Sequence, residues 1–214
     1  MHLSATDVCF AQMYVNSEQL KRQVQTMSNV MIVGVGGQGT LLASRIIGNV
    51  AIKAGYDVKV SEVHGMSQRG GSVVTYVKYD EKVYSPLIFE GEADYLLAFE
   101  ELEAYRWLSY LKKDGKLIVN TQQMDPMPVI ICSEKYPENI LDKIKSLVSD
   151  VTSLDALKGA MEAGTVKAVN TVLIGSFAKK SNVEKEIWLE VIKETVPPKF
   201  LDINLKAFEI GYNS

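Results

Sequence analysis

The chain has 214 residues and a net charge of −3, and 47% of its residues are hydrophobic against 23% that are charged. This balance is typical of a globular domain with a sizeable core and excludes a largely disordered chain. No long basic run indicates a nucleic-acid binder, and no apolar stretch of about 18 residues is present to span a membrane. We therefore expect neither nucleic acid nor a membrane as a partner.

The cysteines and histidines are too few and too scattered to form a metal centre. The two cysteines are Cys9 and Cys132, and the two histidines are His2 and His64. An iron–sulfur cluster with four cysteine ligands cannot be built from this chain alone, and neither pair has the spacing of a zinc site. Two isolated cysteines suit a reducing cytoplasm. We predict a cytoplasmic protein that binds no metal by itself.

Residues 1–26 are mixed and polar, without the apolar core of a signal peptide. Met27 stands directly before the first apolar strand. Two interpretations stay open: the leader is an extension before a natural start at Met27, or it contains a short helix around Ser17–Gln25. We expect residues 1–26 to be poorly ordered and residues 27–214 to form one domain.

The first elements predict a βαβ unit. Val30–Val33 is a short apolar run, as in a buried parallel strand. Thr40–Ala54 has apolar residues at helical spacing, and Gly55 stands where a helix C-cap is expected. Val58–Val60 follows as a second strand, which implies a right-handed crossover.

The rest of the chain alternates strands and helices and then turns helical. Strands are predicted at Val73–Tyr79, Ala93–Phe99, Lys116–Asn120, Val129–Cys132 and Val151–Thr152, with a short hairpin arm at Lys82–Ser85. Helices are predicted at Glu101–Tyr110, Pro137–Leu147, Leu154–Ala163, Val166–Lys179, Val183–Thr195 and Lys199–Tyr212. This order predicts an α/β fold: a single Rossmann-like, doubly wound domain with a mostly parallel sheet and a helical C-terminal layer.

A glycine-rich motif lies between the first strand and the first helix. Its members are Gly34, Gly36, Gly37, Gln38 and Gly39. Such glycines permit a tight turn and let a phosphate approach the backbone at a helix N-terminus. Glu62 stands near the end of the second strand, where an acid would bond the ribose of a dinucleotide. Two interpretations stay open: contact with a phosphate group, or tight packing within the protein or against a partner chain.

A second segment, EVHGMSQRGGS at residues 62–72, is polar and rich in glycine. Its candidates for ligand or partner contact are His64, Met66, Gln68, Arg69, Gly70 and Gly71. An imidazole exchanges a proton near neutral pH, and a guanidinium clamps a carboxylate or phosphate. The residues alone favour the alternative, in which Arg69 pairs with an acid across a subunit interface and His64 forms hydrogen bonds within the loop.

Two further polar features stand out along the chain. Glu100, Glu101 and Glu103 could be paired carboxylates, but acids favour the first turn of a helix, so we interpret them as a solvated helix start. Asn170 lies in an apolar helical run, where a buried amide needs partners. We expect Asn170 to belong to a polar network of the core or to an interface.

Four segments together resemble a known family: residues 29–39 (NVMIVGVGGQG), 58–72 (VKVSEVHGMSQRGGS), 84–87 (YSPL) and 93–100 (ADYLLAFE). It is the family of gamma subunits of pyruvate and other 2-oxoacid:ferredoxin oxidoreductases. Within it the chain is most similar to the beta subunits of indolepyruvate ferredoxin oxidoreductases. The pairing of GxGGQG with EVHGMSQRGGS is far more specific than either motif alone.

The resemblance implies a subunit that is inactive alone and supplies no catalytic residue. The parent enzymes convert a 2-oxoacid and coenzyme A (CoA) to an acyl-CoA, CO2 and reduced ferredoxin. Their thiamine diphosphate, Mg and 4Fe–4S clusters lie on a larger alpha subunit, and this sequence has neither a GDG…N stretch nor a cysteine cluster. The two glycine-rich segments would then complete the active site, with indolepyruvate or another arylpyruvate as substrate.

Other functions stay open at this point. The chain could serve an enzyme for pyruvate or 2-oxoglutarate, or be a stand-alone CoA- or nucleotide-binding module. An NAD-linked dehydrogenase is disfavoured because the sequence has no second, substrate-binding domain. Whether CoA contacts this chain, and whether the isolated chain forms a homodimer, also stays open.

Overall fold

The computed structural model describes residues 28–65 and 70–214. The predictions for the leader lie outside these residues. The strands are β1 (Ser28–Val35), β2 (Asp57–His64), β3 (Ser72–Asp80), β4 (Ala93–Ala98), β5 (Leu111–Asn120) and β6 (Asp150–Leu154). The helices are α1 (Thr40–Lys53), α2 (Glu101–Arg106), α3 (Met127–Ile130), α4 (Ile140–Leu147), α5 (Ala156–Ala163), α6 (Val169–Lys180), α7 (Lys185–Thr195) and α8 (Leu201–Tyr212). Short 3-10 turns lie at Leu108–Tyr110, Val166–Ala168 and Pro198–Phe200.

The six strands form one mixed sheet in the order β2-β3-β1-β4-β5-β6. β1, β4, β5 and β6 are parallel neighbours, whereas β3 is antiparallel to both β1 and β2. Every strand except β3 therefore runs in the same direction, and the predicted α/β fold with a mostly parallel sheet is confirmed. The predicted βαβ unit differs in one respect, because β3 lies between its two strands and pairs with both.

The core lies on both faces of the sheet. Val30 and Ile32 of β1 pack against α1 and the C-terminal helices, while Met31 and Val33 pack on the opposite face toward α2 and α4. All four side chains are fully buried. A strand that is covered on both faces has a continuous apolar sequence rather than an alternating one, which explains the unbroken run in β1.

The predicted helical C-terminal layer is confirmed, and two glycines bring its helices into close contact. A Cβ on Gly175 of α6 would lie 2.2 Å from the carbonyl oxygen of Phe208, and one on Gly211 of α8 would lie 1.8 Å from that of Val172. Neither position has room for a side chain. The backbones of α6 and α8 therefore pack against each other directly.

Two predicted strands were wrong. Residues 129–132 lie in α3 and the turn after it, because Pro126 and Pro128 favour the first turn of a helix and disfavour a strand. Residues 82–85 form no strand and lead into an irregular segment. The helix predicted from Glu101 is also shorter, since α2 ends at Arg106 and a 3-10 turn follows.

Candidate functional site

The glycine loop, residues 34–39, carries β1 into α1. Gly37 and Gly39 have φ angles of +103° and +88°, a left-handed conformation that favours glycine. A Cβ on Gly34 would lie 2.9 Å from both Gln38 Oε1 and the Cβ of Phe99. The loop thus needs glycine at two positions for the backbone and at a third for space.

The N-terminus of α1 faces out of this loop without a side-chain cap. Its N-cap residue is Gly39, and its first turn contains no acidic residue. The first N–H groups of a helix lack acceptors within the helix, and the helix dipole places partial positive charge there. Such a terminus can bind a phosphate or carboxylate through the backbone alone.

The second loop, residues 65–71, is joined to the glycine loop by the backbone. The Gly36 N–H donates to the Gly71 carbonyl at 2.8 Å, and the Gly70 N–H donates to the Gly36 carbonyl at 3.3 Å. The pairing of β1 with β3 ends at this point, where Val35 lies opposite Ser72. The structure therefore brings the two predicted motifs together at one edge of the sheet. Met66, Gln68 and Arg69 lie outside the described residues, as does the side chain of His64.

A pocket of about 390 Å³ opens beside the glycine loop. It is lined by Gly36, Gly37, Gly39, Thr40, Leu41, Glu62 and Val73. Glu62 thus lies near the glycines, because β2 ends at the same edge of the sheet. Thr40, Leu41 and Val73 were not predicted site residues. The available sequence signal was adjacency, because Thr40 and Leu41 directly follow the first glycine motif and Val73 directly follows the second.

Gln38 uses its side-chain amide inside the protein. Its Oε1 accepts a hydrogen bond from the Val35 N–H at 2.7 Å, and its Nε2 donates to the Phe99 carbonyl at 3.1 Å. Val35 ends β1 and Phe99 follows β4, so the amide fills the crevice between the two strand ends.

The interpretation of the three glutamates as a solvated helix start was wrong. Glu100, Glu101 and Glu103 are 1%, 5% and 2% exposed. Glu100 caps α2 by accepting from the Glu103 N–H at 2.9 Å, and it also accepts from the Tyr136 hydroxyl at 2.5 Å. Burial, and then this hydrogen bond to Glu100, raise the pKa of Tyr136 above its ordinary value. The helix-start position was right, but the segment before α4 covers it from solvent.

Glu103 links α2 to the base of the second loop. Its Oε2 accepts hydrogen bonds from the Ser72 hydroxyl and, at 3.3 Å, from the Trp107 indole, and its Oε1 pairs with Arg106 at 2.6 Å. Ser72 is the first residue of β3 and follows Gly71 directly. The buried carboxylate thereby fixes the point at which the second loop joins the sheet. The sequence pattern of an acid at a helix start does not indicate this role.

Residues 28–65 and 70–214 contain neither a metal-ligand cluster nor a membrane-spanning helix. No three His, Cys, Asp or Glu side chains in these ranges are grouped to hold a metal ion. No helix there is long and apolar enough to cross a membrane. Cys132 is a free, exposed thiol, and Cys9 lies outside the described residues.

Comparisons with known proteins agree with one another. The sequence profile of the family described as pyruvate ferredoxin/flavodoxin oxidoreductase matches residues 29–214. A Thermococcus kodakarensis protein named indolepyruvate oxidoreductase subunit IorB is 44% identical over 190 residues, which cover 86% of this chain and 93% of that protein. A second protein of the same organism, named pyruvate/ketoisovalerate oxidoreductases common subunit gamma, is 30% identical over 190 residues, covering 87% and 96%.

A solved structure shares the fold. It is the 2-oxoglutarate:ferredoxin oxidoreductase from Magnetococcus marinus with 2-oxoglutarate, coenzyme A and succinyl-CoA bound. The match has a TM-score of 0.68 at 17% identity and covers 88% of this chain and 31% of that chain. At this identity the likeness concerns the fold alone.

Proposed function

The chain belongs to the pyruvate ferredoxin/flavodoxin oxidoreductase family, and we propose that it is the non-thiamine subunit of an oxidoreductase for indolepyruvate or another arylpyruvate. The complex would act in the cytoplasm and convert the 2-oxoacid and CoA to an acyl-CoA and CO2, passing electrons to ferredoxin. The observation that carries the proposal is the 44% identity to a protein named for indolepyruvate, against 30% to one named for pyruvate and ketoisovalerate.

The cofactors belong to a larger alpha subunit in this proposal. Thiamine diphosphate with Mg stabilises the negative charge that develops as CO2 leaves, and 4Fe–4S clusters carry the electrons. This chain has two cysteines in all, too few for one such cluster. Its contribution is therefore to bind, orient and shield the reactants.

The joined loops are the surface that would complete the active site. The uncapped N-terminus of α1 offers backbone N–H groups to a phosphate, and the adjacent pocket has room for part of a CoA molecule. Arg69 of the second segment would supply a cation for a phosphate or carboxylate of the ligand. The bonds of Gly36 to Gly70 and Gly71 support joint action of the loops, because moving one would move the other.

Reconstitution tests this proposal. We would co-express the full chain with a large thiamine and iron–sulfur subunit and measure reduction of a viologen dye with indolepyruvate, pyruvate or 2-oxoglutarate. Activity should need both chains and CoA, and indolepyruvate should be the best substrate. Arg69→Ala should lower activity while the complex still assembles, because the proposal assigns this cation to contact with the ligand. Lys158→Gln, an exposed lysine of α5, is the control that should keep full activity.

Two results would contradict the proposal. One is a chain that neither associates with the large subunit nor stimulates it with any 2-oxoacid, and screening it against CoA and adenine nucleotides would then test the stand-alone module. The other is a complex that assembles but prefers pyruvate or 2-oxoglutarate. The chain would then be a subunit of a family member with a different substrate.

A further inference from the structure

A second cavity lies inside the helical layer and is separate from the pocket at the glycine loop. Its volume is about 160 Å³. It lies where the first turns of α1 and α6 meet the end of α7 and the start of α8. Among the described residues it is lined by Leu42, Thr165, Lys167, Asn170, Thr195, Val196, Pro197, Phe200 and Asn204. None of these residues lines the pocket at the glycine loop.

The cavity has apolar walls and the size of a single ring. Leu42, Val196, Pro197 and Phe200 form these walls. An apolar cavity of about 150 Å³ is known to hold one benzene molecule. The volume and the lining therefore suit one aromatic ring.

A buried amide supplies a donor without an acceptor. Asn170 is 7% exposed, and its Oδ1 accepts a hydrogen bond from the Thr171 N–H at 2.9 Å. This bond sets the orientation of the amide, because only the oxygen can accept from a backbone N–H. Asn170 Nδ2 then donates to no group within the described part of the chain. Asn170 lines the cavity, so this N–H group is available to an acceptor bound there.

The charges around the cavity favour an anion as that acceptor. No lining residue is acidic, and the side chain of Lys167 is exposed and forms no ion pair with the residues that the structure describes. The cavity also adjoins the start of α6, whose first turn contains no acidic residue. The partial positive charge of that helix end adds to the attraction.

We propose that this cavity binds a small aromatic carboxylate with one ring. The ring would lie among the apolar walls, and the carboxylate would accept hydrogen bonds from Asn170 and Lys167. The site does not depend on the proposed function, since it can be tested on the chain alone. It does touch the glycine loop, because a Cβ on Gly39 would lie 3.0 Å from Asn170 Nδ2.

Titration of the full 15N-labelled chain with phenylacetate tests the proposal. The side-chain NH2 resonance of Asn170, identified by its loss in Asn170→Ala, should shift and saturate, and the Gly39 amide should shift with it. Benzyl alcohol, which has the same ring without the charge, should bind at least about tenfold more weakly. Benzylamine, with the opposite charge, should not bind.

Lys167→Gln provides a variant that leaves the buried residues untouched. It should weaken phenylacetate binding by about tenfold, as expected for one lost charge-assisted hydrogen bond. The exposed Lys158→Gln should bind as the wild type does. An absence of saturable shifts would overturn the proposal. Equal binding of phenylacetate and benzyl alcohol, or an unchanged affinity in Lys167→Gln, would also overturn it.

Discussion

The two flanks of the crevice between β1 and β4 use their polar groups in opposite ways. The glycine-loop flank has few polar side chains and exposes the uncapped N-terminus of α1 to a pocket of about 390 Å³. The α2 flank contains three buried carboxylates, and the pocket beside it measures only about 50 Å³. The first flank can bind a ligand through its backbone, and the second holds the loops in place.

Buried carboxylates stabilise a fold only when they are fully hydrogen-bonded, because their desolvation is costly. Glu101 accepts from Gln123 at 2.8 Å, and Glu100 accepts from the Met124 N–H at 3.0 Å as well as from Tyr136. Within the ranges that the structure describes, Arg106 is the one cation that pairs with this cluster, through Glu103. The cluster therefore depends mainly on hydrogen bonds, which makes single changes in it informative.

The largest loss of stability is expected for Glu103→Ala. The substitution removes the acceptor for Ser72, Trp107 and Arg106, and breaking such a buried network should lower the free energy of unfolding by about 3 kcal/mol. Urea denaturation measures the loss. Glu138→Ala, an exposed glutamate, should change stability by less than about 0.5 kcal/mol. Equal stability of the two variants would show that Glu103 does not fix the base of the second loop.

A smaller effect is expected for Gln38→Ala, on the other flank. The Val35 N–H and the Phe99 carbonyl would lose their partner in the crevice, which should cost about 2 kcal/mol of unfolding free energy. Gln123→Ala, which removes one partly buried hydrogen bond to Glu101, should cost about 1 kcal/mol. If Gln38→Ala is no less stable than Gln123→Ala in the same denaturation experiment, the amide of Gln38 is not structural.

The smallest effect is expected for Tyr136→Phe, at about 1 kcal/mol for its hydrogen bond to Glu100. The pKa of Tyr136 is raised above its ordinary value of 10.0. The protonated hydroxyl therefore stabilises the folded state fully below pH 10, and this contribution decreases as the pH rises above that value. Unfolding free energies measured from pH 8 to 11 should therefore fall less steeply for Tyr136→Phe than for the wild type. Tyr84→Phe, at a side chain that is 90% exposed, should follow the wild-type profile. Parallel profiles for all three proteins would contradict the prediction.

Much of the fold could be predicted from the sequence because its signals are local. The continuous apolar run of β1, the helical spacing of α1 and the periodic C-terminal helices all depend on neighbouring residues. The position of β3 between β1 and β2 depends on pairing between distant segments, which no short pattern records. The helix at residues 127–130 was missed because an apolar run of four residues suits a strand as well.

The candidate site divides in the same way. The sequence shows the glycine motifs because Gly37 and Gly39 adopt backbone angles that favour glycine, so the fold needs this residue type there. The contact between the two motifs follows because the strand ends that carry them share one edge of the sheet. The burial of Glu100, Glu101 and Glu103 could not be predicted, because a helix-start acid has the same sequence pattern whether or not another segment covers it. For Gln38, contact with a ligand or partner stays a prediction, and the sequence did not reveal that its amide is bonded within the protein.

The central claim is that the glycine loop acts in catalysis by a larger complex, and Gly37→Ala tests it most directly. Gly37 and Gly55 have φ angles of +103° and +96°, and a Cβ on either would meet nothing within 4 Å. Both alanine variants should therefore lose a similar stability, about 1 kcal/mol, from backbone strain alone. Only Gly37 lines the pocket, so Gly37→Ala should lower 2-oxoacid-dependent viologen reduction by the reconstituted complex about tenfold or more, while Gly55→Ala keeps it. Equal activity of the two variants in assembled complexes would contradict a role for the glycine loop in the reaction.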